Sequence, residues 1–588
     1  YDLHAPGPFR GLRVVTPKDP AHDANRAVLA ALEGGDASGA RLLAAGTASH
    51  SYPHCWRCKN PVIFRATHQW FIDLAPLRPR ALEEIRERVT WIPAFGANRI
   101  GAMVENRLEW TISRQRRWGS PITFLSCDAC RAAGQVVHYP DVKSTSERER
   151  FFDRVVAVFR EHGADAWYDD ARFPVSAFLP DGAACPRCRG RELSKVRDIL
   201  DVWFDSGVSH MAVLRTREYG LEDPYAEATR APVLYLEGHD QHRGWFQSSL
   251  LTSVALTGAA PYDAVATHGF VLQRQGEKMS KSVGNVISPQ DVTSRHGADV
   301  LRLYFASVDF TDDMVLNEEV LTRTSEAYRK LRNTARFLLS VLFDFDPAKD
   351  AVPDDSLEPF DRFLLDRAAR LAEECKTAYE AYAFHAVSRR LLEFATTDLS
   401  ALWCDVRKDA LYVRRATDPV RRSAQTAALR LAETLALLLS PICPFTAEEI
   451  WEALPSHEGE SPALETFASL ALTPLPEEEA AAWGRLVGLR DDVQRLLEPL
   501  RKGGLVGSSA QAHAQIPEMY LADAGTAGLD DARLAEFLIL PAISWHEGEL
   551  RVVAAEGKKC ARCWQVRPDV DDEELCGRCQ DILGERAA

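Results

Sequence analysis

The sequence predicts a multidomain protein, α/β in its first half and α-helical in its second, with small cysteine-rich modules inserted and appended. Three observations predict it. Two short apolar runs, 233–236 and 264–271, read as buried strands and flank a helix-compatible stretch at 244–256, the pattern of a strand–helix–strand unit in a parallel sheet. After Asp313 the apolar period lengthens to that of long amphipathic helices. Ten of the thirteen cysteines fall in five Cys-x-x-Cys pairs.

Residues 1–50 are rich in Gly, Ala and Pro and hold no self-contained pattern; they read as the torn end of a larger module. Residues 51–119 carry aromatic and basic segments and one isolated pair, Cys55/Cys58. Residues 120–198 hold Cys127/Cys130 and Cys185/Cys188 around charged, helix-compatible sequence, and read as an insertion. Residues 199–318 contain the strand–helix–strand unit. In 319–480 the spacing of Leu321, Tyr328, Leu331, Ala335, Leu338 and Leu342 marks a core-facing stripe. Leu364, Leu371, Cys375 and Tyr379 continue it, and a helix at 423–440 stops at Pro441. A Gly/Ser/Pro linker at 457–469 separates this bundle from a mixed tail. The last segment, 481–588, holds one more helix (Val487, Val493, Leu496, Leu497, Leu500) and the pairs Cys560/Cys563 and Cys576/Cys579.

Composition narrows the function classes. With 588 residues the chain is long enough for about three to five domains. Its 46% hydrophobic and 26% charged content is that of an ordinary globular protein. A net charge of −15 excludes a wholesale basic coat, so contacts to nucleic acid must come from local patches. No apolar run reaches the ~18 residues that span a bilayer. The most apolar helical stretch, 427–439, is interrupted by Arg430 and Glu433. With no secretory signal and no initial methionine, a cytoplasmic fragment with no membrane partner is expected.

Paired cysteines in such a chain read as metal knuckles rather than disulfides. Cys560, Cys563, Cys576 and Cys579, two knuckles about a dozen residues apart, supply four thiolates for one closed, structural zinc ion. Cys127, Cys130, Cys185 and Cys188 are expected to close a second across the insertion. Lys558, Lys559, Arg562, Arg567, Arg578 and Trp564 surround the tail knuckles. That site reads either as a structural staple or as an RNA contact. Cys375, Cys404 and Cys443 lie in apolar helical surroundings and read as buried thiols.

Lys278-Met279-Ser280-Lys281-Ser282, between Gly276 and Gly284, places two ammonium groups three residues apart beside hydroxyls. Such a clamp suits the triphosphate of ATP with magnesium, because lysine is a compact point charge with rotating donors. The bland reading is a solvated basic loop. Its position after a parallel strand, where such sheets place ligands, favours the functional one. Upstream, Tyr235 to Phe246 (YLEGHDQHRGWF) puts a carboxylate, Glu237, and an amide, Gln241, at the end of a strand. These can hold an adenylate and an α-ammonium group, with Trp245 one turn beyond as an apolar wall. The alternative is a buried strand and helix start with incidental polar residues. His239 and His242 read as nucleotide neighbours or as ordinary surface histidines, without metal spacing. The segment from Arg114 to Gly119 (RQRRWG) reads as a cationic turn or as core architecture. Arg329, Lys330, Arg332 and Arg336 with Asn333 read as an RNA-backbone surface or as a solvated helix face.

These motifs, in this order, resemble the class I aminoacyl-tRNA synthetases, and Tyr235–Phe246 with 201–207 (DVWFDSG) resembles the isoleucine-specific members. The resemblance covers about Ser51 to Cys579. It implies a Rossmann-like catalytic sheet interrupted by insertions, a helical anticodon-binding bundle and a tRNA-contacting zinc tail. It implies that Lys281, with Lys278, contacts ATP, that Glu237 contacts the isoleucyl-adenylate, Gln241 the amino group, and Trp245 with Trp203 the side chain. The implied partners are isoleucine, ATP and the isoleucine tRNA, and a monomer is expected. It assigns 1–50 to a remnant of the editing insertion and 51–119 to the return segment. The family's His-x-Gly-His signature occurs nowhere here, and its upstream region carries a cysteine pair matching Cys55/Cys58. The chain is therefore expected to lack an N-terminal part, to have little or no adenylation activity, and to edit no mischarged valyl-tRNA. A valyl or leucyl enzyme differs at the strand-end motif rather than the lysine loop. A synthetase-derived, non-catalytic tRNA-binding protein is the reading from another class. A zinc-ribbon protein of other ancestry leaves both motifs unexplained.

Overall fold

In a computed structural model, the described residues are 7–12, 23–34, 39, 41–46, 51–55, 59–62, 67–116, 118–214, 232–274, 276–279, 284–457, 459–467, 470, 472–571 and 574–584. They form two compact units. One comprises Tyr1–Ala81, Glu105–Leu214 and Leu251–Gly258, the other Leu82–Val104, Arg215–Leu250 and Ala259–Ala588.

In the first unit, the cysteine-rich insertion is built on a three-stranded antiparallel sheet. Leu125–Cys127 lies at its centre, between His138–Tyr139 and Leu193–Lys195. Helix Thr145–His162 buries Phe151 and Val155 against Leu125, Tyr139, Trp167 and Phe178. It stops at Gly163, whose φ of +77° a β-carbon would disfavour. Two strand pairs lead into this module, Phe71–Asp73 with Glu109–Thr111 and Ser113–Arg114 with Ile199–Leu200. Residues 1–50, expected to hold no pattern of their own, contain helix Asp23–Gly34. Its Ala- and Leu-rich sequence favours a helix, and it buries no residue.

The second unit opens with a parallel sheet in the order Thr90–Ile92, Ala264–His268, Leu234–Gly238. The expected strand–helix–strand unit is present, with helix Trp245–Thr257 between the last two strands. The strands differ in burial. Val265, Ala266 and Thr267 are buried at the centre. Leu234–Gly238 lies at the sheet's edge among the described residues, with Tyr235 buried while Leu234 and Leu236 are exposed, so the expectation of a buried run at 233–236 is corrected. The other run, 264–271, breaks at Gly269. A β-carbon on Gly269 would lie 2.2 Å from the Asp312 carbonyl oxygen, so the chain turns there and enters a second sheet. That sheet has the order Glu277–Lys278, Val271–Arg274, Met314–Val315.

From Glu318 the unit is a helical bundle of Glu318–Ser340, Pro359–Glu380, Phe384–Glu393, Pro419–Leu439 and Pro444–Glu452, with Ser440 capping the fourth as Pro441 predicts. Asn317 and Asp418 cap helices by accepting from Val320 and Val420 N–H. Helix Glu477–Lys502 joins the same core, since Trp483 stacks on Phe363 at 4.9 Å and Leu486, Leu489, Val493 and Leu497 are fully buried. The expected division at 480/481 falls inside this helix. A mixed sheet follows, Ala512–Pro517 between Ile543–His546 and Arg551–Ala554. The tail ends with a hairpin, Lys558–Lys559 with Val566–Arg567, and helix Gly577–Gly584.

Candidate active site and cysteine clusters

The parallel sheet's carboxyl edge carries the candidate site. Strand Leu234–Gly238 delivers Glu237, exposed, and runs into the tight helical turn His239–Arg243. Within it the Gln241 carboxamide oxygen accepts from the Trp245 backbone N–H at 3.0 Å, capping the following helix. Its nitrogen donates to Asp240 at 3.3 Å. The Trp245 ring lies flat on Tyr235, centroids 4.0 Å apart and planes 14° apart. Glu237, Gln241 and Trp245 are thus brought to one strand end. A second oxygen lone pair on Gln241 and the Glu237 carboxylate remain as acceptors suited to an ammonium group or hydroxyls. His239 meets the Phe270 edge at 4.7 Å, tying this strand end to the second sheet. His242, read from sequence as a surface residue or a nucleotide neighbour, is fully buried instead.

Lys278 lies on the short strand paired with Leu272. Ser280, Lys281 and Ser282 lie outside the described residues. Met279 between the lysines packs on a cluster containing Val292, Tyr304, Leu316 and Leu321. Sequence reasoning passed over it; an apolar residue inside a cationic loop was the signal.

Trp203 belongs to the other unit. It is 41% exposed, at the start of helix Val202–Gly207. Asp201 caps that helix through the Trp203 N–H and also accepts from Trp110 Nε1 at 3.2 Å and Arg114 Nη2 at 2.8 Å. This buried carboxylate, unmarked in the sequence, explains Arg114 as architecture.

Both four-cysteine sets converge. The Sγ atoms of Cys127 and Cys188 are 3.5 Å apart, and those of Cys130 and Cys185 3.8 Å. In the tail Cys563 and Cys576 are 3.7 Å apart, and within each set all four sulfurs lie within 4.8 Å of one another. Four sulfurs ~2.3 Å from one tetrahedral ion would be about 3.8 Å apart, so both sets fit a zinc ion. Backbone N–H groups already point at sulfur, from Gly190 to Cys188 and from Cys576 to Cys560, each at 3.4 Å. Burial pushes the Cys560 thiol up, but the N–H groups of Cys563, Cys576 and Arg562 outweigh it and bring it to about 6. Cys563 is pushed up to about 12, chiefly by burial. Four sulfurs this close could hold a metal ion, which would favour their thiolate forms. Cys375, Cys404 and Cys443, the expected buried thiols, are each pushed up to about 12 by burial.

One turn recurs three times. At Cys185 and Cys560 the cysteine N–H donates to the carbonyl five residues on and its carbonyl accepts from the N–H four residues on. The fourth residue, Arg189 or Trp564, has φ of +61° or +66°. Cys55 makes the same pair of bonds with Asn60 and Lys59, and Lys59 has φ of +58°. Cys58 lies outside the described residues.

Trp564, 65% exposed, presents its face to Lys559 Nζ at 5.7 Å. It borders a groove of about 1250 Å³ lined also by Lys408, Tyr412, Arg501 and Arg567. Arg329, Lys330, Asn333 and Arg336 are exposed on helix Glu318–Ser340, whereas Arg332 pairs with Glu449 at 2.5 Å.

Residues 18–317 match the family described as tRNA synthetases class I (I, L, M and V), and residues 361–516 the anticodon-binding domain of tRNA ligase. The chain belongs to the class I tRNA synthetases. Among curated relatives, isoleucine--tRNA ligase of Nitratidesulfovibrio vulgaris is 42% identical over 92% of this chain and 58% of its own length. That of Symbiobacterium thermophilum is 41% identical over 98% of this chain and 61% of its own length. The chain thus spans about three fifths of the curated relatives it matches. Among solved structures, methionyl-tRNA synthetase of Mycobacterium tuberculosis with methionyl-adenylate is 20% identical, with a TM-score of 0.46 over 72% of this chain and 69% of that one. The match to the class I synthetase family and the match to the anticodon-binding domain thus follow one another along the chain. Among the described residues no helix is long and apolar enough to cross a membrane.

Proposed function

We propose that the chain serves isoleucine–tRNA ligation: activation of isoleucine with ATP to isoleucyl-adenylate, then transfer to the isoleucine tRNA. The observation that carries this reading is the convergence of Glu237, Gln241 and Trp245 at the end of one parallel strand, in a sequence about two-fifths identical to isoleucine--tRNA ligases. In it Glu237 holds the adenylate, Gln241 the α-ammonium group, and Trp245 walls the aliphatic side chain. Lys281 and Lys278 stabilise phosphate charge as the amino-acid carboxylate attacks the α-phosphorus and pyrophosphate leaves, with magnesium on the phosphates. The two four-cysteine sets hold structural zinc. The bundle reads the anticodon, where unstacked bases can be stacked and contacted edge-on, and the groove beside Trp564 supports RNA contact by the tail. The chain acts as a cytoplasmic monomer.

Calorimetric titration with the sulfamoyl analogue of isoleucyl-adenylate tests the reading. Expected are saturable binding and a loss of about tenfold or more in Glu237→Gln and in Lys281→Ala. Valyl analogue binding should be weaker by about 10–200-fold, the general worth of one methylene in an apolar pocket, for which isoleucine against valine is the known example. Equal binding of leucyl and isoleucyl analogues overturns the isoleucine assignment.

A further inference from the structure

The imidazole of His242 has no exposed surface. It stacks on Trp91, centroids 5.9 Å apart, and meets the Phe246 edge at 5.6 Å. Its Nδ1 lies 2.8 Å from the His239 carbonyl oxygen. A carbonyl can only accept, so Nδ1 carries the proton and Nε2 is left as an acceptor. That acceptor is buried without a hydrogen-bond partner among the described residues. It faces the first turn of helix Phe95–Glu105, where a β-carbon on Gly96 would come within 3.1 Å of it. A phenyl ring would fill this place with the same contacts and no unmet acceptor, so packing alone does not account for an imidazole. What the imidazole adds is the Nδ1 donor, which closes the turn from inside. The same turn holds Gln241, whose oxygen binds the Trp245 N–H.

We propose that His242 is a positioning residue of the strand-end site: as the Nδ1–H tautomer it pins the His239 carbonyl and so fixes the turn that presents Gln241 and Trp245. Its importance for catalysis rests on the reading of this strand end as the adenylate site. The charged and titratable neighbours are Arg99 on helix Phe95–Glu105 and His239 and Asp240 on the turn itself. The Arg99 charge opposes protonation of the ring, as does burial, whereas Asp240 favours it.

The test compares His242→Asn, which keeps a donor near the Nδ1 position, with His242→Phe, which keeps the ring and removes the donor. Hydrogen–deuterium exchange of the full chain reads the Trp245 amide, with 264–268 as an internal reference and the melting temperature as a check on folding. Expected is exchange at Trp245 about tenfold faster in His242→Phe and near parental in His242→Asn, with 264–268 unchanged in both. Unchanged exchange in His242→Phe, or equal acceleration in both variants, overturns the positioning role. Binding of the isoleucyl sulfamoyl analogue is measured in parallel and should weaken only in His242→Phe. If the parental chain binds no analogue, the adenylate reading fails while the exchange result still decides the role of His242.

Discussion

Arg578 donates from both terminal nitrogens to the two carboxylate oxygens of Asp409, each at 2.8 Å. This fork joins the cysteine-rich tail to helix Cys404–Tyr412, and Arg562 adds a bond to the Val413 carbonyl. The pair is mostly sheltered, with side-chain exposures of 27% and 22%. Burial works against the guanidinium charge, but Asp409 more than offsets it. Asp409→Asn should therefore cost about 1–2 kcal/mol in docking of the tail, between an exposed pair and a fully buried one. Limited proteolysis in the segment 555–558, with the bundle's melting temperature as reference, reads this. Cleavage no faster than in the parent would show that the tail is held by its other contacts.

Cys185→Ser and Cys576→Ser should each remove about one zinc ion per chain, because the sets are built from separate segments and share no ligand. Elemental analysis after gel filtration counts the ions. The Cys576→Ser protein should also lose protection in the tail. Full metal content in either variant would break the assignment of that set.

Met279 makes a local prediction about the lysine loop. Its side chain is half-buried against Val292, Tyr304, Leu316 and Leu321. Met279→Ala should loosen that anchor by about 1–2 kcal/mol, less than the cost of a fully buried methionine. Faster proteolysis between 276 and 284, at unchanged global melting temperature, is the expected signature.

Which parts were legible follows from the range of the interactions. The strand–helix–strand unit and the bundle helices show in local apolar periods, and the cysteine sets in their spacing, because period and spacing survive in a linear string. The burial difference between 234–238 and 264–268 did not show, since edge and centre depend on which strands pair. Helix Glu477–Lys502 was readable as a helix but not as part of the bundle, because its assignment rests on Trp483 meeting Phe363, far away in sequence. Asp201 and the buried Asp361, which accepts from Trp403, Arg407 and Ser423, draw their side-chain partners from 42 to 91 residues away. No local pattern marks such hubs. At the candidate site the residue types were legible, but not that Gln241 caps the helix of Trp245 or that Trp245 rests on Tyr235.

Gly269 separates the two sheets at a point where no side chain fits. Its N–H donates to the Phe310 carbonyl at 2.9 Å, and the Asp312 carbonyl occupies the β-carbon position. The opposing atom is backbone, so relief requires moving the segment that leads into strand Met314–Val315. Gly269→Ala should destabilise the unit by about 3 kcal/mol or more. Denaturant titration measures it, and a loss below about 1 kcal/mol would mean that the 309–313 loop yields easily.

The buried imidazole of His242 gives a pH dependence whose sign is determined. Burial is the largest influence and lowers its pKa below the ordinary value, with Arg99 acting in the same direction and the His239 carbonyl against it. The unfolded chain therefore binds a proton at His242 more readily than the folded one, and acid favours unfolding. The stability tied to the neutral ring is fully present above the ordinary histidine value of ~6.5 and is lost as pH falls through the lowered folded value. His242→Asn removes this titration and leaves every other group in place. The melting temperature of the parent minus that of His242→Asn should be constant above pH 7 and should fall as the buffer is taken to pH 5. A difference that stays flat over that range would mean that the folded protein protonates His242 as easily as the unfolded chain does.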